Sequence, residues 1–265
     1  ISIYSPGLAP ASLDNALVQM TQYVNGEISL TDSEIKENYK TIESNLLGNF
    51  ESSKDNILAY IDAFEAANEP LFTDFDRVYV TDLTYEDQLA IFLQNHIIQT
   101  QFINGRMDNV TGVKFEAAEV FPGTCSDSQE RINSATVELD ATYNKEPAVI
   151  LTMDDYVLRP SGYWAPAGET VTLIFDNAAV NQELSIIVGA HYRNITPDLG
   201  TQNRMTDIST EFLVDQATMR VANPYGGGIY LKVPDGTNIG WTTVEIRDAV
   251  KSAYYSHREN RKTNV

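Results

Sequence analysis

The sequence is short of the residues that most often carry chemistry. Histidine occurs three times, at 96, 191 and 257, with no pair four residues apart and none followed by Glu. That excludes an H-E-x-x-H zinc motif, which needs two imidazoles on one helical face and a carboxylate beside the first. Cysteine occurs once, as Cys125. One thiol forms no intrachain disulfide, so nothing in the fold depends on an oxidising compartment. Cys125 stands in PGTCSDS, a loop-like setting with no neighbouring His to activate it as a nucleophile. No run approaches the ~20 apolar residues that a membrane-spanning helix requires, so membrane insertion is not expected. The opening ISIYSPGLAP lacks the basic region and apolar core of an intact signal peptide. It reads as a mature end left by cleavage or as an imposed boundary.

Basic residues are scarce too. Lys and Arg number 18 against 37 Asp and Glu, for a formal net charge of −19. Residues 1–150 carry 24 acidic and 8 basic side chains, net −16, and residues 151–265 carry 13 and 10, net −3. Such a chain repels phosphate backbones and anionic membrane surfaces, which excludes nucleic acid as a partner. The charge suits a solvated face that keeps a secreted protein soluble. Calcium is not indicated, because no D-x-[DN]-x-[DN]-G loop is present.

What is present reads as a folded protein in two parts. Hydrophobic residues at 43% and charged residues at 21% are ordinary for a packed domain, so wholesale disorder is excluded. The first hundred residues have helical period. Leu13, Ala16, Leu17, Met20 and Val24 recur at three- and four-residue spacing behind Ser12 or Asp14. Thr31 and Glu34 have the spacing of a capping box, ahead of a stripe of Ile35, Tyr39, Ile42, Leu46 and Leu47. Ile57, Tyr60, Ile61 and Phe64 mark a third helix. Thr84 and Asp87 open a fourth, with Leu89, Phe92, Leu93, His96, Ile97 and Phe102 along it. From about Thr136 the period becomes two, in ATVELDATY, AVILTMDDYVL, TVTLIF, LSIIVGAHY, GGIYLKV and WTTVEIRD, with turn signals between. The expected fold class is α+β: a helical bundle over 1–105, a connector over 106–135, an antiparallel β-sandwich over 136–250, and a polar tail over 251–265.

Motifs with a chemical reading have simpler explanations. Gly226-Gly227-Gly228 lacks the Lys-Ser/Thr of a phosphate loop and runs into a strand; such glycines let backbones approach or form a bulge. Asp154-Asp155 would point to opposite faces of a strand, the wrong arrangement for two carboxyls flanking one glycosidic bond. No G-x-S-x-G is present. The remaining candidates are residues near predicted strand ends, Trp164, His191, Tyr192, Arg193 and Tyr225. Their flat rings and polar edges suit stacking on sugars, although core packing explains a ring equally well.

Three segments in order carry a family likeness. They are Gly162-Tyr163-Trp164-Ala165-Pro166-Ala167-Gly168-Glu169, then Val188-Gly189-Ala190-His191-Tyr192, then Asn223-Pro224-Tyr225-Gly226-Gly227-Gly228-Ile229-Tyr230. Together they resemble the β-rich module ahead of the catalytic domain in enhancin-like, mucin-degrading zinc metallopeptidases. The likeness covers roughly residues 120–250. It implies a secreted or surface-attached bacterial protein, an accessory non-catalytic region, a glycoprotein or glycan as partner, and a protease domain following Val265. It implies zinc only in that later domain. No catalytic residue of the family carries over. Two other readings stand beside it: a stand-alone glycan-binding or adhesive module, and a surface or filament subunit.

Overall fold

A computed structural model describes residues 12–68, 71–72, 78–144, 155–189, 201–202, 204–205, 207–256 and 261–263. The chain divides into two compact units, Ile1–His96 with Ile195–Met205, and Ile97–Asn194 with Thr206–Val265.

The first unit is helical, as the period of its apolar residues predicts. Helix α1 (Leu13–Val24) starts behind Ser12, whose hydroxyl accepts a hydrogen bond from the Asn15 N–H, and buries Leu13, Ala16, Leu17 and Met20. Helix α2 (Asp32–Asn45) carries the complete capping box between Thr31 and Glu34 and buries Ile35 and Ile42. Helix α3 (Phe50–Ala67) buries Ile57, Tyr60, Ile61 and Phe64. Each such side chain contributes roughly 1.5–3 kcal/mol on leaving water. Tyr60 is fully enclosed, and its hydroxyl donates to the Glu86 carbonyl at 2.9 Å. That residue opens α4 (Tyr85–Thr100), where Thr84 and Asp87 cap each other's backbone N–H groups. One expectation fails here. Leu47 is 83% exposed, because α2 ends at Asn45 and the next residues turn away at Gly48, whose φ is +84°.

His96 stands on α4 with ring centroids 5.9 Å from Phe50 and 6.4 Å from Phe92. Burial pushes its pKa below the ordinary 6.5, since a charged imidazole is poorly solvated among rings. A depressed folded value means the contribution to stability is whole above the unfolded pKa and is lost as pH falls through the folded one. We therefore expect His96→Leu to gain on the wild type only below about pH 6.5. Urea denaturation of both proteins across the range reads the difference; a gap independent of pH would refute it.

The strands, in chain order, are β1 (Val78–Tyr79), β2 (Ala135–Tyr143), β3 (Tyr156–Ala165), β4 (Val171–Phe175), β5 (Ser185–Val188), β6 (Thr201–Gln202), β7 (Thr210–Leu213), β8 (Thr218–Val221), β9 (Gly227–Pro234), β10 (Thr237–Arg247), β11 (Val250–Lys251), β12 (Tyr254–Ser256) and β13 (Arg261–Thr263). Strands β1 and β6 pair with each other, as do β12 and β13. The sandwich consists of a four-stranded sheet, β2-β10-β4-β8, and a five-stranded sheet, β11-β3-β9-β5-β7. All these pairings are antiparallel.

Alternation sets the inward faces. In β9 the residues Ile229, Leu231 and Val233 are buried while Tyr230 and Lys232 are only half-covered. Val171, Leu173 and Phe175 of β4 and Val244 and Ile246 of β10 are buried likewise. The short strands β1, β6, β11, β12 and β13 have no counterpart among the predicted segments. Among the strands of four or more residues, β7 and β8 have none either. Each of these two has four residues and lies at a sheet edge. The predicted strand AVILTMDDYVL falls mostly outside the described residues, and only its end coincides with β3.

Candidate functional site

The three motif segments meet at one place in the second unit. Asn223, fully buried, uses its side-chain amide as the link. Its Nδ2 donates to the Val188 carbonyl at 2.8 Å and to the Ile208 carbonyl at 2.7 Å. Its Oδ1 accepts from the Tyr225 N–H at 2.8 Å. Its backbone carbonyl accepts from Gly168 at 3.0 Å and from Gly226 at 2.9 Å. One residue thus joins the end of β5, the turn before β4 and the start of β9.

The glycines let this junction close. Gly189 donates to the Gly228 carbonyl at 2.9 Å. A Cβ on Gly227 would lie 2.6 Å from the Gly189 Cα, and one on Gly226 would lie 2.8 Å from the Ala165 carbonyl oxygen. Backbones this close tolerate no side chain between them. The triple glycine is a close-approach element and holds no phosphate loop.

A second link fastens the turn at Glu169. Arg131 Nε and Nη2 donate to the two Glu169 carboxylate oxygens at 3.0 and 2.6 Å. Nearby Cys125 is half-buried. Burial is the main influence on its thiol pKa and raises it; Arg131 pulls the other way and Glu169 adds to the rise. A thiol held protonated is a poor nucleophile.

The sequence-predicted site residues separate on this frame. Tyr225 lies in the core at 1% exposure, its ring edge-on to Phe115 at 5.2 Å between centroids. No ring face is left for a sugar, which corrects the expectation of an exposed contact there. Trp164 is half-buried in β3, opposite Gly228 and Val250. Its Nε1 is closed off from solvent and makes no hydrogen bond among the described residues. His191, Tyr192 and Arg193 lie outside the described residues. Among those described, no three His, Cys, Asp or Glu side chains come together to hold a metal, and His96 stands between phenyl rings. The donors that zinc chemistry requires do not assemble among the described residues. Asn223, which sequence reasoning did not select, is the residue that organises the site. Its signal was an Asn directly before Pro-Tyr-Gly-Gly, where an amide caps its own turn.

Fold and junction define a β-sandwich module pinned at one corner by an asparagine and close-packed glycines. Residues 132–247 match the family described as the N-terminal domain of M60-like peptidases. The matched stretch runs from just before β2 to the end of β10 and contains all three motif segments. TRPM8 channel-associated factor 1 of Bos taurus is 25% identical over 103 residues, which are 38% of this chain and 11% of that protein. TRPM8 channel-associated factor 3 of Mus musculus is 26% identical over 106 residues, 40% of this chain and 12% of that one. The chain thus spans about an eighth or less of these curated relatives. Among solved structures, an IMPa metallopeptidase in complex with T-antigen gives a TM-score of 0.46 at 12% identity, over 93% of this chain and 30% of that one. IMPa from Pseudomonas aeruginosa in complex with an O-glycopeptide gives 0.34 at 15% identity, over 77% and 24%. Among the described residues no helix is long and apolar enough to cross a membrane.

Proposed function

We propose that the chain is the accessory, non-catalytic region of a secreted or cell-surface bacterial zinc metallopeptidase that acts on mucin-like O-glycoproteins. One observation carries the reading: residues 132–247 match the N-terminal domain of M60-like peptidases, in a chain with no H-E-x-x-H. The work of this region is mechanical. The sandwich presents a rigid surface, and the Asn223 junction fixes the strand ends from which its loops depart. Zinc and the general base belong to a protease domain that follows, and the glycoprotein is the shared partner of both. The stand-alone glycan-binding reading draws nothing from Tyr225, whose ring is in the core.

The test has two arms. The reading frame beyond Val265 is expected to encode H-E-x-x-H within a few hundred residues, and its purified product to cleave an O-glycosylated mucin until a zinc chelator is added. The 265-residue chain alone is expected to leave the mucin intact. Zinc-dependent cleavage by the short chain, or a long frame without the motif, would overturn the reading.

A further inference from the structure

Trp241 on β10 is 50% exposed, and the backbone beside it is shaped to aim it. Between Asn238 and Trp241 the pairing of β10 with β2 slips through a bulge. Gly240 lies in that bulge at φ +84°, with nothing within 4 Å of its Cβ position. The glycine therefore serves conformation and not close packing. The Thr142 hydroxyl accepts from the Gly240 N–H at 2.8 Å and fixes the irregularity. Bulges re-aim side chains. Beyond this one the alternation is regular: Thr242 and Val244 are buried, and Trp241 and Thr243 lie on the outer face. A single exposed ring is common on protein surfaces; the bulge and the charges around it set this one apart.

Carboxylates border the ring. Trp241 pairs with Asp140 and Thr243 pairs with Glu138 across the ladder between β10 and β2, and paired residues share a face. Asp176 stands on the other side of Thr243, its Oδ2 accepting the Thr243 N–H at 3.2 Å. Glu138 and Asp176 are both exposed, so they bracket Thr243 on open surface. An accessible indole next to carboxylates singles out a cation. A neutral sugar gains nothing from the charge, and an anion is repelled by a chain of net charge −19. Guanidinium suits the site better than ammonium, because its plane stacks on an aromatic face and its fork matches carboxylate oxygens. Successive outward positions on a strand are roughly 7 Å apart. The ring and the carboxylate pair thus have the spacing of alternate side chains in one extended chain.

We propose that the outer face of β2 and β10 docks an extended basic segment of a partner protein, with arginines at alternate positions. One guanidinium stacks on Trp241 and the next lies between Glu138 and Asp176. The proposal goes beyond the peptidase reading and does not depend on it.

NMR titration of the nitrogen-15-labelled chain tests it, read at the indole N–H signals of its two tryptophans. The probes are acetyl-Ala-Arg-Ala-Arg-Ala-amide, the same peptide with uncharged citrulline for both arginines, and methyl α-galactopyranoside. The arginine peptide is expected to shift the Trp241 signal saturably and to leave that of Trp164, whose Nε1 is closed off from solvent, in place. Trp241→Ala, followed at the backbone signals of Glu138 and Thr243, is expected to weaken binding about fivefold. Glu138→Gln combined with Asp176→Asn, which keeps an oxygen for the Thr243 N–H, is expected to weaken it a few-fold. Melting curves should be unchanged, since all three side chains are exposed. A Trp241 signal unmoved by the arginine peptide would overturn the proposal. So would equal binding of the citrulline peptide, a galactoside that shifts the same signal, or binding undiminished in Trp241→Ala, which would mean attraction by net charge alone. None of these readouts involves cleavage, so failure here and failure of the accessory reading are told apart.

Discussion

Asn223→Ala is expected to lower the unfolding free energy by about 3–5 kcal/mol, read as a shift in the urea midpoint at unchanged slope. The substitution leaves the carbonyls of Val188 and Ile208 and the N–H of Tyr225 without their side-chain partner. Burial prevents water from replacing the lost bonds, because the residue has no exposed surface. A buried donor or acceptor left alone costs roughly 1–3 kcal/mol, and three are affected at once. Asn223→Asp is the sharper variant. It keeps the acceptor for Tyr225 but turns oxygen toward two carbonyl oxygens that had received N–H groups. Its loss should match or exceed that of the alanine variant at neutral pH. A loss below about 1 kcal/mol for both would mean that the junction holds without the amide.

Gly227→Ala is expected to be comparably damaging for an unrelated reason. The added methyl would sit 2.6 Å from the Gly189 Cα and 2.8 Å from its nitrogen, and the residue holds φ at +141°. Neither contact is with a flexible side chain that can swing aside. Backbone must move, which separates β5 from β9 where Gly189 bonds to Gly228. Overpacking costs typically 1–3 kcal/mol, and an unfavourable φ adds about 1–3 more. Gly236→Ala serves as the comparison. It also sits at positive φ, +84°, but nothing lies within 4 Å of its Cβ position. It carries the backbone cost alone, so its loss should be clearly smaller. Equal losses at the two positions would show that close approach is not what Gly227 provides.

Much of the frame could be read from the sequence, and the reasons are local. Thr31 with Glu34 and Thr84 with Asp87 announced helix starts because capping acts within one turn. Strands β2, β4, β9 and β10 followed from alternation. Strands β7 and β8 were missed because TEFL and TMRV are too short for a period of two to stand out. Leu47 was misread because its spacing continued a stripe past the point where the helix ended. Tyr225 shows the deeper difficulty. Its local setting, between Pro224 and three glycines, looks like an exposed turn. Its burial comes from Phe115, more than a hundred positions earlier. The three motif segments were visible as glycine-rich punctuation, but the close approach of Gly227 to Gly189, which would leave an added Cβ only 2.6 Å from the Gly189 Cα, exists only once distant strands pair.

Strands β7 and β8 also bear on how the protein behaves at high concentration. Each ends its sheet after four residues, and each carries charge: Glu211 on β7, held by Lys232 at 2.9 Å, and Arg220 on β8, held by Asp108. A short, charged edge is a poor template for another chain's strand. On this side the sandwich resists growth by strand addition, so a fibre built there would need a different kind of contact. Modest in length, these two strands work as an end-stop against polymerisation.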